Sequence, residues 1–179
     1  MAPSPHIALE GFLLLEEALQ ETTRYIPYCP EHLEVWSPRF ATIILEAASQ
    51  FNSLLRAASV WHGCCTPAKG RGLNIGHYLE YFGRALAPQW AVFFGGESRP
   101  IVRPFAAWRG SGFTTSDYPN HPLTWWGAYN QLKHDRLSNL NLATQAAATE
   151  AVVALLLALL YSGTCDAALI QGLRIKILS

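Results

Sequence analysis

Residues 151–161 are apolar without a break, reading Ala-Val-Val-Ala-Leu-Leu-Leu-Ala-Leu-Leu-Tyr. That is only about half of the ~20 residues a helix needs to cross a bilayer. The run continues a helical pattern that already carries Gln145 and Glu150. A helix that is apolar on every side and too short for a membrane belongs inside a protein. The segment is therefore expected to be a buried core helix, and the rest of the chain has to be read for faces that can cover it.

The composition supplies that cover. Of 179 residues, 50% are hydrophobic and 15% charged, which suits one compact domain. The 13 Lys+Arg and 13 Asp+Glu balance to a formal charge of +0. A disordered chain would carry a net charge and fewer large apolar residues. A protein that coats DNA would be strongly basic, because neutralised phosphates supply most of its non-specific affinity. A disulfide-dense secreted module would be shorter and richer in Cys than this chain, which has 4. The N-terminus has an apolar patch at residues 12–15 but no basic region before it and no small-residue cleavage site, so no signal peptide is expected. Cys64 and Cys65 are adjacent and no CxxC occurs. Free thiols, a cytoplasmic location and no membrane association are the expectations.

Five segments read as helix. Ser4-Pro5 is an N-cap followed by proline at the first helical position, opening a helix to about residue 23. Ser37-Pro38 repeats the signal and starts the clearest helix of the chain. There Ile43, Ile44, Ala47, Ala48, Phe51, Leu54, Leu55 and Ala58 recur at three and four, until Gly63 and Pro67 end it. Asn74 caps a third helix over 75–86, and a fourth spans 124–136. After Ser138-Asn139 the long core helix is expected over 140–161, ended by Gly163. Residues 88–123, rich in Gly, Pro and aromatic residues, are too aromatic for a solvated linker. They are expected to pack on the helices as an elaborate loop, with 90–94 and 101–105 pairing as a small hairpin. The tail, 166–178, fits a short helix or a strand-like segment equally.

The densest chemistry is Trp125-Trp126-Gly127-Ala128-Tyr129-Asn130-Gln131-Leu132-Lys133-His134-Asp135-Arg136. On a helix Asn130 and His134 share one face, and Tyr129 and Lys133 the neighbouring one. Imidazole titrates near neutrality, so His134 can serve as a general acid or base. Lys133 or Arg136 can hold a phosphate or stabilise an oxyanion. The structural alternative is a solvated helix end whose Lys133 and Arg136 answer the helix dipole.

This stretch resembles the HEPN superfamily of small all-helical bacterial proteins, and within it a group with the pattern W-W-x-x-Y-N-x-x-K-H-x-R before the last long helix. The pattern is carried here by Trp125, Trp126, Tyr129, Asn130, Lys133, His134 and Arg136. The resemblance implies an all-α, up-down bundle of four to five helices, one domain over 1–179, and a homodimer. In active members four to six residues separate an Arg from the His that follows it. The pair faces its symmetry mate in a cleft and cleaves RNA without metal or other cofactor, through the ribose 2′-OH. Here His134 matches the His and Asn130 the polar residue after the Arg, but the Arg position falls on Tyr129, Ala128 or Gly127. The expected function is therefore a HEPN-like protein that binds RNA or a partner in a dimer cleft and is catalytically degenerate or atypical. The alternatives are a metal-independent endoribonuclease of toxin or defence type using His134, and a structural dimer module with no nucleic-acid role. A cognate antitoxin or a nucleotidyltransferase-like protein is the kind of partner implied.

Three further features are candidates. Glu46, beside the Ile43/Ala47 stripe, can orient His134 or pair with Lys133 or Arg136, or simply reach water. Arg56, close to the same side of that helix, has the mirror-image ambiguity. Cys29 with His32, and His62 with Cys64, are residue types that zinc prefers, and four such ligands would make a structural site if their loops met. The expectation is nevertheless no metal. Lys69-Gly70-Arg71-Gly72 sets two cations among glycines without the P-loop pattern, and reads as a loop between helices or an RNA-backbone contact. The six tryptophans can stack bases, but core filling is the stronger reading without a Lys/Arg stripe beside them.

Overall fold

Burial of the apolar run organises the molecule. In the computed structural model, which describes residues 5–70, 72–94, 99–109, 122–163 and 177–178, the helices are α1 (Pro5–Thr22), α2 (Pro38–Trp61), the single turn α3 (Pro67–Gly70), α4 (Ile75–Leu86), α5 (Thr124–His134) and α6 (Gln145–Tyr161). The strands are β1 (Ala91–Phe93), β2 (Ile101–Val102) and β3 (Ile177–Leu178). The fold is the expected all-α helical bundle. Residues 151–159 of α6 are each no more than 1% exposed, and α1, α2, α4, α5 and β2 pack around them.

The helix starts follow local chemistry. Ser37 Oγ accepts the Phe40 backbone N–H at 3.1 Å, with Pro38 in the first turn. Asn74 Oδ1 accepts from Gly76 and His77, and the His77 ring returns the favour to the Asn74 N–H. The core helix begins later than its pattern suggests. Thr144 caps it by accepting the Ala147 N–H at 3.2 Å, and Leu140–Leu142 is a separate 3-10 turn. A side-chain cap sets the boundary there, rather than apolar periodicity. Likewise α5 stops at His134 rather than Arg136, because Asp135 is extended.

Long-range bonds set the helix directions. The Ser37 N–H donates to Ala143 O, and Trp36 bridges Thr144, so α2 and α6 start together. His62 Nε2 donates to Ser162 O at 2.6 Å, so they also end together. Both finish on a left-handed glycine, Gly63 (φ 72°) and Gly163 (φ 73°). The Arg39–Glu21 ion pair, 3.2 Å, joins the end of α1 to the start of α2. Arg136, just past α5, reaches Pro38 and Thr42 at the start of α2. The order α1, α2, α5, α6 is thus up, down, up, down, with α2 and α6 parallel neighbours.

The expected hairpin forms: β1 and β2 are antiparallel, with Ala91 opposite Val102. The end of the tail is strand, since β3 adds to the other edge of β1 with Val92 opposite Leu178. The turn at 95–98, residues 110–121 and the rest of the tail lie outside the described residues. Much of the aromatic content is core. Phe51 of α2 packs on Phe105 at 5.8 Å and on Trp125 at 5.1 Å, and Trp125 Nε1 donates to Pro104 O. Trp108, Trp125 and Trp126 are buried, whereas Trp36, Trp61 and Trp90 keep partly exposed faces.

Residues 147, 151, 154 and 158 of α6 are all alanine, and all four are buried. Ala151→Leu should overpack this centre and cost about 1–3 kcal/mol. Ser37→Ala removes one cap and should cost about 1 kcal/mol. Urea unfolding midpoints measure both, and a core that tolerates the leucine without loss would refute the packing described.

Candidate functional site

The end of α5 is built from a buried base and an exposed rim. Trp125, Trp126, Tyr129 and Leu132 face the core, so helical spacing turns Lys133 and His134 outward. Tyr129 is 6% exposed. Lys133 Nζ lies over its ring, 5.6 Å from the centroid, the expected i, i+4 pair. Asn130 does not reach along its face to His134. Its Nδ2 donates to Trp126 O, one turn back in its own helix. His134 is exposed, and its ring makes no hydrogen bond among the described residues. Two polar residues close the helix. Asp135 Oδ1 accepts the Ser138 N–H; the Ser138 side chain and then this backbone bond hold the Asp135 carboxyl below the usual range, and Asn139 Nδ2 donates to Gln131 O and Asp135 O.

Arg136 folds back on α2, where Nη2 donates to Pro38 O at 3.1 Å and to Thr42 Oγ1 at 2.8 Å. It shares an open cavity of about 340 Å³ with Glu46, Arg39 and Thr42. Glu46 accepts a 2.8 Å bond from Gln50 Nε2 and makes no ion pair among the described residues. Of the partners considered for Glu46, the structure brings Arg136 to the same cavity, and Lys133 and His134 are not among its lining residues. Arg56 does not share the Glu46 side. Its guanidinium lies beside the Tyr78 hydroxyl of α4, whereas Glu46 lines the groove against α1.

The four candidate zinc ligands fall into two separate pairs. Cys29 Sγ is 3.2 Å from His32 Nδ1, which also contacts Pro27 O. A hydrogen bond with the Glu31 carboxylate pushes the Cys29 thiol up, away from thiolate. This segment is tied to the start of α6, through bonds to Ile26 O, Leu33 O and Val35 O. His62 is bonded to the far end of α6 at Ser162, and Cys64 is exposed beside it. The 17 residues of α6 put about 25 Å between the pairs. Among the described residues no three His, Cys, Asp or Glu side chains gather as a metal site.

Glu150 is the functional group that the sequence did not expose. It interrupts the apolar α6 where that helix passes the start of α5, beside Tyr28. Burial pushes its carboxyl up to about 7, and the Trp125 backbone N–H offsets part of the rise. Leu123 gives α5 no side-chain cap, so a carboxylate from α6 answers the first-turn N–H group from outside. Burial, and then the charge of Glu150, push the Tyr28 hydroxyl up to about 12. The available signal was one carboxylate in an otherwise buried helix.

No family model, curated protein or solved structure matches the chain.

The carboxyl of Glu150 is raised in the folded state, so its neutral form is favoured there. Its contribution is complete below about pH 4.5, the unfolded value, and is lost as pH rises through about 7. Glu150→Gln keeps an acceptor for the Trp125 N–H without the buried charge. It should match the wild type near pH 4 and exceed it by up to about 3 kcal/mol at pH 8. Thermal unfolding of both proteins across that range decides it, and a difference that does not change with pH would contradict the assignment.

Proposed function

We propose that the chain is a HEPN-like module that forms a homodimer and binds RNA through the C-terminal end of α5 without cleaving it. The observation that carries this reading is what stands at that helix end. Lys133, His134 and Arg136 are exposed together there, and none of them is paired with a carboxylate among the described residues. Such cations suit phosphates, and Arg136 is already oriented by Pro38 O and Thr42 Oγ1. The absence of cleavage rests on the same place. One of the positions where active relatives of this type carry the phosphate-holding Arg has Tyr129, buried beneath Lys133, and a phenol cannot replace a guanidinium fork. Among the described residues His134 also has no hydrogen-bonding group to fix its tautomer or direction, which a general acid or base requires.

Anisotropy with a labelled single-stranded RNA tests the binding. Each of Lys133→Ala and Arg136→Ala should weaken it and lower the slope of log K against log salt by about 0.7. Binding unchanged in the double variant refutes the RNA reading. RNA incubated with wild type and chelator should stay intact. Fragments with 2′,3′-cyclic phosphate ends, lost in His134→Ala, would make the protein an endoribonuclease instead. A dimer that dissociates in both Ala variants, with no RNA bound by wild type, would leave the cluster a structural one.

A further inference from the structure

The first helix leaves an apolar ridge uncovered. Ile7 and Leu14 are 71% and 69% exposed. They stand at i and i+7 of α1, two turns or about 10.5 Å apart on one face. Between them, at i+4, Gly11 has no side chain. A Cβ there would meet Gln50 Cδ of α2 at 2.9 Å. The glycine therefore lets the Gln50 amide lie against the α1 backbone, and the ridge dips at its middle. Facing it, α2 sets Glu46, Gln50 and Ser53 at the same i, i+4, i+7 spacing. The two walls enclose an open cavity of about 560 Å³, whose buried lining residues are Leu54 of α2 and Leu155 of α6.

This trough carries charge of one sign. Glu10 and Glu46 line it and are exposed, and no Lys or Arg is among its lining residues. Neither carboxylate is paired with a cation among the described residues. Arg24 and Arg39 stand at the other end of α1 with Glu17 and Glu21, and there Arg39 is held by Glu21.

We propose that the groove between α1 and α2 docks an amphipathic helix of a partner protein, one whose apolar stripe is flanked by Lys or Arg. Walls matched over two turns receive a helix by its own i, i+4, i+7 stripe. The apolar residues of that stripe seat on Ile7, Leu14 and Leu54, while the flanking cations reach Glu10 and Glu46. Charge selects this occupant over the alternatives. A second copy docked here about a two-fold axis presents the same patch, and so brings Glu10 and Glu46 against identical acids. Such like-charge contact opposes association, and the same carboxylates repel a phosphate backbone. The groove is also separate from the proposed RNA surface, since Lys133, His134 and Arg136 do not line it.

The test uses the full-length chain and two fluorescein-labelled synthetic helices, measured by anisotropy. Both carry one leucine stripe; the first is flanked by Lys and the second by Glu. The Lys helix should bind to saturation and the Glu helix should not. Leu14→Ser should weaken binding about tenfold, the loss of one buried apolar side chain. Glu10→Gln and Glu46→Gln should each weaken it about two- to fivefold and flatten its salt dependence. Leu137→Ser, at a leucine 88% exposed outside the groove, should leave binding unchanged. All four positions are exposed, and an unchanged melting temperature verifies that each variant is folded. Lys-helix binding that is equal in Leu14→Ser and wild type, or matched by the Glu helix, overturns the proposal. A dimer that dissociates in Leu14→Ser, with neither helix bound by wild type, overturns it in favour of a second copy. RNA binding retained in Leu14→Ser would show that the two surfaces fail or stand separately.

Discussion

Everything in this molecule depends on keeping α6 dry. A helix apolar on one stripe needs one neighbour, but 151–159 needs cover on every side. That requirement explains why two long helices run parallel. With α2 and α6 starting at the Ser37–Ala143 contact and ending at His62–Ser162, the two lie alongside over their whole common length. The remaining arc is then closed by α1 on one side and by α5, α4 and the small sheet on the other. The Gly/Pro/aromatic region is part of that wall. Its β2 strand touches α6, and Phe105 stacks on Phe51, so removing it would wet the core helix.

The polar features of α5 follow from the same demand. A helix that covers α6 with Trp125, Trp126, Tyr129 and Leu132 has little polar sequence left to finish its own ends. Its start borrows the Glu150 carboxyl from α6, and its finish borrows Asn139 from the next turn. The cost of the first arrangement is a desolvated carboxyl that titrates near neutrality. Arg136 then fixes the outgoing chain to the start of α2. The exposed Lys133 and His134 are what is left of the helix once its structural obligations are met.

Local chemistry was legible in the sequence, and through-space chemistry was not. The Ser37-Pro38 and Asn74 starts are decided within four residues, so the text alone placed them. The start of α6 was missed because the apolar pattern continues through Leu140 and Leu142, whereas the Thr144 cap decides the boundary. Spacing put Asn130 and His134 on one face, yet could not say that the Asn130 amide turns to Trp126 O. Glu46 and Arg56 share a helix and were read as neighbours in role. The first faces α1 and the second α4, because the packing of other helices divides the sides of α2. The thiol and imidazole pairs fail to meet for the plainest reason, the length of α6, which no local pattern states.

The even charge total hides an uneven distribution. Glu10, Glu16, Glu17, Glu21, Glu31, Glu34 and Glu46 all precede residue 50, against Arg24 and Arg39 alone. The bundle turns this asymmetry along the chain into one across it. Four of those acids ride on α1 (Pro5–Thr22), packed on one side of α2, while Arg56 and Lys133 belong to the side of α4 and α5, and Arg136 reaches back to the groove between α1 and α2. A molecule of zero net charge with such a division still has a field, and a polyanion approaching it is repelled by one edge and drawn to the other. Orientation, rather than overall attraction, is what this charge pattern supplies.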